Sequence, residues 1–292
     1  MLNTKMTKWD WFVEILLWLI GALICIVVLY PILNMVAISL SSTGPVLRGE
    51  VGLIPKGFTT EAYETVFMNE KIQRATLNSI GWAATQCIFT CFFTFLAAYP
   101  LACCTFPGKR IWTKILLLPM WFSAGLIPGY MNFADLGMLD SYWPLILGGC
   151  VAGYNVIVAK NFITGLPQSL VESARIDGAS EFSIMLRIVL PLCKPVLATF
   201  CVWTIAGTWN SYMSPLLYLT SPEKFTLQQV MRAIVLAADM SAYDISVGEG
   251  LSNMADQIRY AVLLVSMLPM ITAYPFFHKH FGKGITLGAV KG

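Results

Sequence analysis

The chain has 292 residues, of which 57% are hydrophobic and 12% charged, and its formal net charge is +3. Soluble domains carry about 25% charged residues, so this composition excludes an ordinary soluble protein and points to a membrane protein of many spans. A net charge this small gives no reason to expect nucleic acid as a partner.

A membrane-spanning helix needs roughly 20 apolar residues. Six long runs lack Asp, Glu, Lys and Arg: Ile15–Leu47, Ala75–Gly108, Ile115–Ala134, Ser141–Ala159, Pro195–Pro222 and Tyr260–Phe277. An all-α protein with six transmembrane helices follows, with both termini on one side. The expected organisation is a single transmembrane domain over 1–292. It has a first span within 1–40, an outer loop at 41–74, core spans over 75–281 and a tail at 282–292. Lys5 and Lys8 precede the first run, which is too long for a signal-peptide core and lacks a small-residue cleavage site after it. It is read as a retained span.

With the termini placed in the cytoplasm, twelve of the nineteen Lys and Arg fall inside and seven outside. Eleven of the sixteen acids fall outside. This is the asymmetry of the positive-inside rule. It also puts the polar stretch 165–195 in the cytoplasm.

At the head of the second span, Asn78-Ser79 suits interhelical hydrogen bonding. Phe106-Pro107-Gly108-Lys109-Arg110 reads as a turn with anchoring cations, and Tyr142-Trp143 as interface aromatics. In the fifth run, Trp209 and Tyr212 are three apart, so they share a helix face. With Asn210 between them, they suit a sugar ring, which stacks its flat side and bonds through its hydroxyls. Helix packing with a proline kink is the competing reading. Residues 221–258 carry Glu223, Asp239, Asp244, Glu249 and Asp256, a solvated acidic face.

The stretch 167–195 has the grammar of a helix, a break and a second helix. Pro167 suits a helix start, and Ser169 with Glu172 has the capping-box spacing. Gly178 supplies a left-handed stop. Ser180 caps the second helix, which runs to Pro191. Such an amphipathic pair is either a peg for a socket on another protein or an interfacial loop on lipid headgroups.

The pattern Glu172-Ser173-Ala174, three residues, Gly178, nine residues, then Ile188-Val189-Leu190-Pro191 resembles the EAA loop of ABC-importer permeases. Ser173 stands where the family pattern has Ala. The tail Gly288-Ala289-Val290-Lys291-Gly292 resembles the end of the maltose-type second permease, which narrows the resemblance to the carbohydrate branch.

The resemblance implies the type I ABC importer permease fold in a bacterial plasma membrane. Glu172, Ser173, Ala174, Asp177, Gly178, Ile188 and Pro191 would dock and couple to a separate ATPase subunit. Gly288, Ala289 and Lys291 would reach the ATPase dimer. The implied partners are a second homologous permease subunit, two ATPase subunits and an extracellular substrate-binding lipoprotein, which meets the 221–258 region. In the maltose-type system the membrane sugar site lies mainly in the other permease. Trp209, Asn210 and Tyr212 are therefore either substrate-path or structural residues.

No G-x-x-x-x-G-K-[ST] loop occurs. ATP and Mg are thus expected on partner subunits, with no cofactor on this chain. The absence of a mid-run charge argues against an ion-coupled carrier. The alternative is an ATP-independent carrier or facilitator for a neutral solute. No catalytic constellation stands out, so an enzyme is not expected. The eight cysteines include no C-x-x-C pair, and they are read as small apolar fillers rather than metal ligands.

Overall fold

The computed structural model describes residues 8–236 and 254–284, and among them every regular element is helical. They fall into two compact units. One is drawn from Met1–Glu70 and Ala233–Ser266, the other from Lys71–Arg232 and Met267–Gly292.

In the first unit, helix α1 (Lys8–Ser39) is an apolar rod whose most apolar window buries none of its residues. Its end is tied down by polar groups. Ser41 Oγ donates to the Ala37 carbonyl at 2.6 Å and accepts from Lys56 N–H at 3.0 Å. Ser39 and Tyr63 share a hydroxyl–hydroxyl bond of 2.8 Å. The segment expected as an outer loop holds α2 (Thr43–Leu47) and α3 (Glu61–Met68), with an isolated bridge between Ser41 and Phe58.

The second unit is built around α4 (Glu70–Cys103), a 34-residue helix. At 1.5 Å per residue it reaches about 50 Å, well beyond the roughly 30 Å hydrocarbon layer. The third apolar run is not one helix. It divides into α5 (Lys109–Leu117), a 3₁₀ turn (Leu118–Met120) and α6 (Leu126–Asp135). Pro119 lacks the N–H that would continue α5. The fourth run is α7 (Trp143–Gly149) and α8 (Gly153–Thr164), bent by 46°. Then come α9 (Gln168–Ile176), α10 (Glu181–Leu192) and α11 (Lys194–Trp209), with a 76° bend between the last two. Short α12 (Met213–Tyr218), α13 (Leu227–Leu236) and α14 (Ala255–Gly284) complete the chain. Among the described residues, two helices are long and apolar enough to cross a membrane, or up to four if each bent pair is one span.

A single apolar core joins α4, α8, α9, α10 and α11 through Tyr99, Val156, Ile163, Val171, Ile184 and Phe200. The polar 167–195 segment thus packs into the same core as the apolar helices. On the far side, Asn78 donates to the carbonyls of Glu223 and Phe225, and Ser79 Oγ accepts from Leu227 N–H. The expected role of Asn78-Ser79 in hydrogen bonding holds, with loop backbone as the partner.

Candidate functional site: a clamped elbow and a polar cavity

The elbow between α9 and α10 is fixed by backbone geometry. Gly178 sits at φ +81°, in the left-handed region. Its N–H donates to the Arg175 carbonyl, and Ala179 N–H to the Ala174 carbonyl, each at 3.0 Å. This is a Schellman motif, which satisfies the last carbonyls of α9. Ala174 is buried in the core and Ala179 packs against that core, which suits the apolar contact of that motif. Ser180 then caps α10, its Oγ accepting from Ser183 N–H at 3.3 Å.

Three expectations for this stretch need correction. Ser169 makes no capping bond: α9 starts at Gln168 with Pro167 in the cap position. Ser169 is therefore already inside the helix, and Glu172 does not close a capping box. Pro191 does not end α10, which continues to Leu192 and breaks at buried Cys193. The helix instead absorbs the proline by widening to π geometry over Met185–Val189. Proline has no N–H for the carbonyl four residues back, and a π turn re-registers those bonds. Ile188 lies inside that π segment.

An ion-pair network clamps the elbow onto α4. Arg175 Nε donates to Glu181 Oε1 at 2.6 Å, and its Nη2 donates to the Cys103 carbonyl at 2.9 Å. That carbonyl belongs to the last residue of α4 and has no partner within its own helix. Tyr99 donates its hydroxyl to Glu181 Oε2 at 2.6 Å. The Arg175 guanidinium first, and then the Tyr99 hydroxyl, hold the Glu181 carboxyl below the usual carboxylate range. One carboxylate thereby joins both elbow helices to α4. The sequence signal was modest: an acid in the first turn of α10 and a cation near the end of α9.

Val171 and Ala174 face inward, while Glu172, Ser173, Asp177 and Gly178 are exposed. Ile176 and Phe182 are 85% and 62% exposed. Ile176, grouped by its apolar type with Leu170, Val171 and Ala174 on one side of α9, thus points outward, and both side chains leave apolar surface on the outside of the elbow. The tail residues Gly288, Ala289 and Lys291 lie outside the described residues, as do Asp239, Asp244 and Glu249.

Trp209, Asn210 and Tyr212 do not form one helical face. α11 stops at Trp209, and Asn210 turns back to cap it, its Nδ2 donating to the Ala206 carbonyl at 2.9 Å. Trp209 is buried. The Tyr212 ring lies beyond the break under the Arg232 guanidinium, 4.2 Å from the ring centre.

A cavity of about 320 Å³ opens among α4, the α7–α8 bend and α11 instead. Trp82, Gln86, Asn155, Trp203, Thr204 and Ser211 are among its lining residues. Gln86 Nε2 donates to the Ile146 carbonyl and to Thr90 Oγ1, both at 3.2 Å. Thr90 Oγ1 in turn donates to the Gly149 carbonyl.

The cysteines are not scattered fillers alone. Cys87, Cys91 and Cys201 bring their sulfurs within 4.8 Å of one another, with Cys91 and Cys201 at 3.6 Å. Three thiols so placed are of the donor type that suits a soft cation.

The fold and the elbow define a membrane permease subunit of an ABC importer. One solved relative is a chain in the crystal structure of a bacterial ABC transporter involved in the import of the acidic polysaccharide alginate. It matches with a TM-score of 0.89 and 27% identity, over 96% of this chain and all of that one. The family described as binding-protein-dependent transport system inner membrane component matches residues 5–287, and this chain belongs to it. Protein LplC of Bacillus subtilis (strain 168) is 37% identical, covering 91% of this chain and 90% of its own length. The polygalacturonan/rhamnogalacturonan transport system permease protein YtcP of the same organism is 36% identical, covering 94% and 95%.

Proposed function

We propose that this chain imports carbohydrate, in oligosaccharide form, as the permease half of an ATP-driven machine in a bacterial plasma membrane. The observation that carries the reading is the clamped elbow. Its inner face belongs to the core of the spans, while Glu172, Ile176 and Phe182 are left outward for a partner. A separate ATPase subunit takes that surface in its groove, and ATP and Mg stay on that partner. The chain is a conduit and lever, not an enzyme.

The remaining assembly follows the family pattern: a second homologous permease, two ATPase subunits and a binding lipoprotein outside. The cargo class rests on relatives whose names specify polysaccharides. Six spans in one permease domain, with both termini in the cytoplasm, fit the cation bias of the sequence. The broken helices then act as bent or paired half-spans. Glu172, Ser173, Ala174, Asp177, Gly178, Ile188 and Pro191 serve coupling, and the tail at Gly288, Ala289 and Lys291 touches the ATPase pair.

The test is Gly178→Val in the assembled transporter. A Cβ built at Gly178 meets nothing within 4 Å, so the only penalty is the left-handed backbone. Uptake of labelled oligosaccharide is expected to collapse while the chain still inserts. Normal uptake by the variant would sink the reading.

A further inference from the structure

The cavity of α4, α8 and α11 contains an unmet hydrogen-bonding demand with a definite polarity. Gln86 spends both amide hydrogens inside the protein, on the Ile146 carbonyl and on Thr90. A carbonyl only accepts, so the Gln86 nitrogen must lie on that side and its Oε1 on the other. That oxygen is buried and has no partner. One helical turn away, Trp82 Nε1 is buried and equally without a partner. The first atom only accepts and the second only donates. Side by side on one helix face, they form a matched acceptor and donor.

Leaving such groups unmet costs free energy, so something in the working cycle should meet them. A sugar hydroxyl both donates and accepts, and neighbouring hydroxyls on a ring present the two functions at short spacing. The rest of the lining fits the same ligand. Trp203, 42% exposed, offers an aromatic face, and Asn155, Thr204 and Ser211 add amide and hydroxyl groups. Among the described residues, no charged side chain lines the cavity. Its volume of about 320 Å³ lies at the small end of the roughly 300–1,000 Å³ typical of ligand pockets.

We infer that this permease subunit carries its own sugar subsite, in which Trp82 and Gln86 read adjacent hydroxyls of one sugar unit and Trp203 stacks on the ring. The inference rests on the carbohydrate reading above, and it moves the substrate contact away from Trp209 and Tyr212. Both orphan atoms are shielded from solvent as the side chains now stand. The subsite requires both side chains to turn toward the ligand as it binds.

The test uses the complete transporter in proteoliposomes with its binding protein, and labelled arabinotriose, maltotriose and trigalacturonate as probes. For each sugar that the wild type imports, KM is compared between wild type, Trp82→Phe and Gln86→Met. Trp82→Phe keeps an aromatic ring and removes the orphan N–H together with part of the buried indole, so the melting temperature of the complex is measured beside KM. Gln86→Met keeps length and removes the orphan oxygen together with the Nε2 that bonds Ile146 and Thr90. KM is expected to rise about fivefold to tenfold in each, the loss of one ligand hydrogen bond, with normal recovery of the assembled complex. An unchanged KM in both variants overturns the subsite and leaves the importer standing. A wild-type complex that moves none of the three sugars counts instead against the carbohydrate reading.

Discussion

The elbow and the cavity lie on the same bundle of helices and treat their polar groups in opposite ways. At the elbow, the Arg175 guanidinium, the Glu181 carboxylate, the Tyr99 hydroxyl and the terminal carbonyl of α4 all find partners inside the protein. At the cavity, a buried donor and a buried acceptor sit one turn apart and find none. A part that passes force must hold its shape alone, so its bonds close on themselves. A part that receives a ligand gains by leaving bonds for the ligand to make, provided the surroundings over-determine the geometry.

If that contrast is right, damage to the elbow should stop transport outright, and damage to the cavity should only loosen it. The largest effect is expected from Gly178→Val, where a β-branched residue enters the left-handed region at a cost of about 1–2 kcal/mol and the Schellman bonds are lost. Uptake should fall to background. Gly178→Asn should retain much of it, because Asn tolerates that conformation.

Next comes a chemical lock between α4 and α11. Oxidation joining Cys91 to Cys201, whose sulfurs are 3.6 Å apart, should block most uptake, and a reductant should restore it. Full uptake with the bridge formed would show that these two helices do not move past each other.

Glu181→Gln keeps the shape but removes the charge that Arg175 and Tyr99 share. Exposed ion pairs contribute about 0–1 kcal/mol, so stability should barely change. Uptake should nevertheless drop several-fold, because the angle of the elbow is what the pair controls. A variant with wild-type uptake would reduce the clamp to decoration.

The smallest effect is expected at the link between α6 and α7. Asp140, at φ +52°, accepts from Thr220 N–H, Ser221 N–H and Oγ, and Lys224 Nζ at 2.7 Å. Lys224 first, and then Ser221, hold its carboxyl well below the usual carboxylate range. A depressed carboxyl adds stability above its unfolded pKa of about 3.9. That stability is lost only as pH falls toward the folded value. The tie should therefore be insensitive to pH across the neutral range. Asp140→Asn, which suits the same backbone, should lower the melting temperature of the complex by only a few degrees.

The elbow was largely legible in the sequence because local chemistry fixes it. Gly178 and Ser180 act through their own backbone and nearest neighbours, and both do what their types suggest. Ser169 failed as a cap because the helix begins two residues earlier, with Pro167 in the cap position, a shift that the pattern alone does not resolve. Pro191 failed as a stop because the π segment absorbs its missing N–H. Trp209 and Tyr212 were grouped by a helical period that Asn210 interrupts with its own capping bond.

The cavity had no local signature. Its lining comes from residues as far apart as Trp82 and Ser211. Gln86 and Thr90, polar groups one turn apart in an apolar run, were the only hint. The clamp was hidden for the same reason, since Tyr99 lies far from Glu181 in the sequence.

The claim on which the rest depends is that the elbow meets a motor subunit in the cytoplasm. Phe182 is exposed on its outer surface, so a photoreactive benzoylphenylalanine can replace it with little change of shape. Irradiation of the assembled transporter is expected to join this chain to the ATPase subunit. Crosslinks to the binding protein alone, or labelling of that position from outside intact cells, would contradict it.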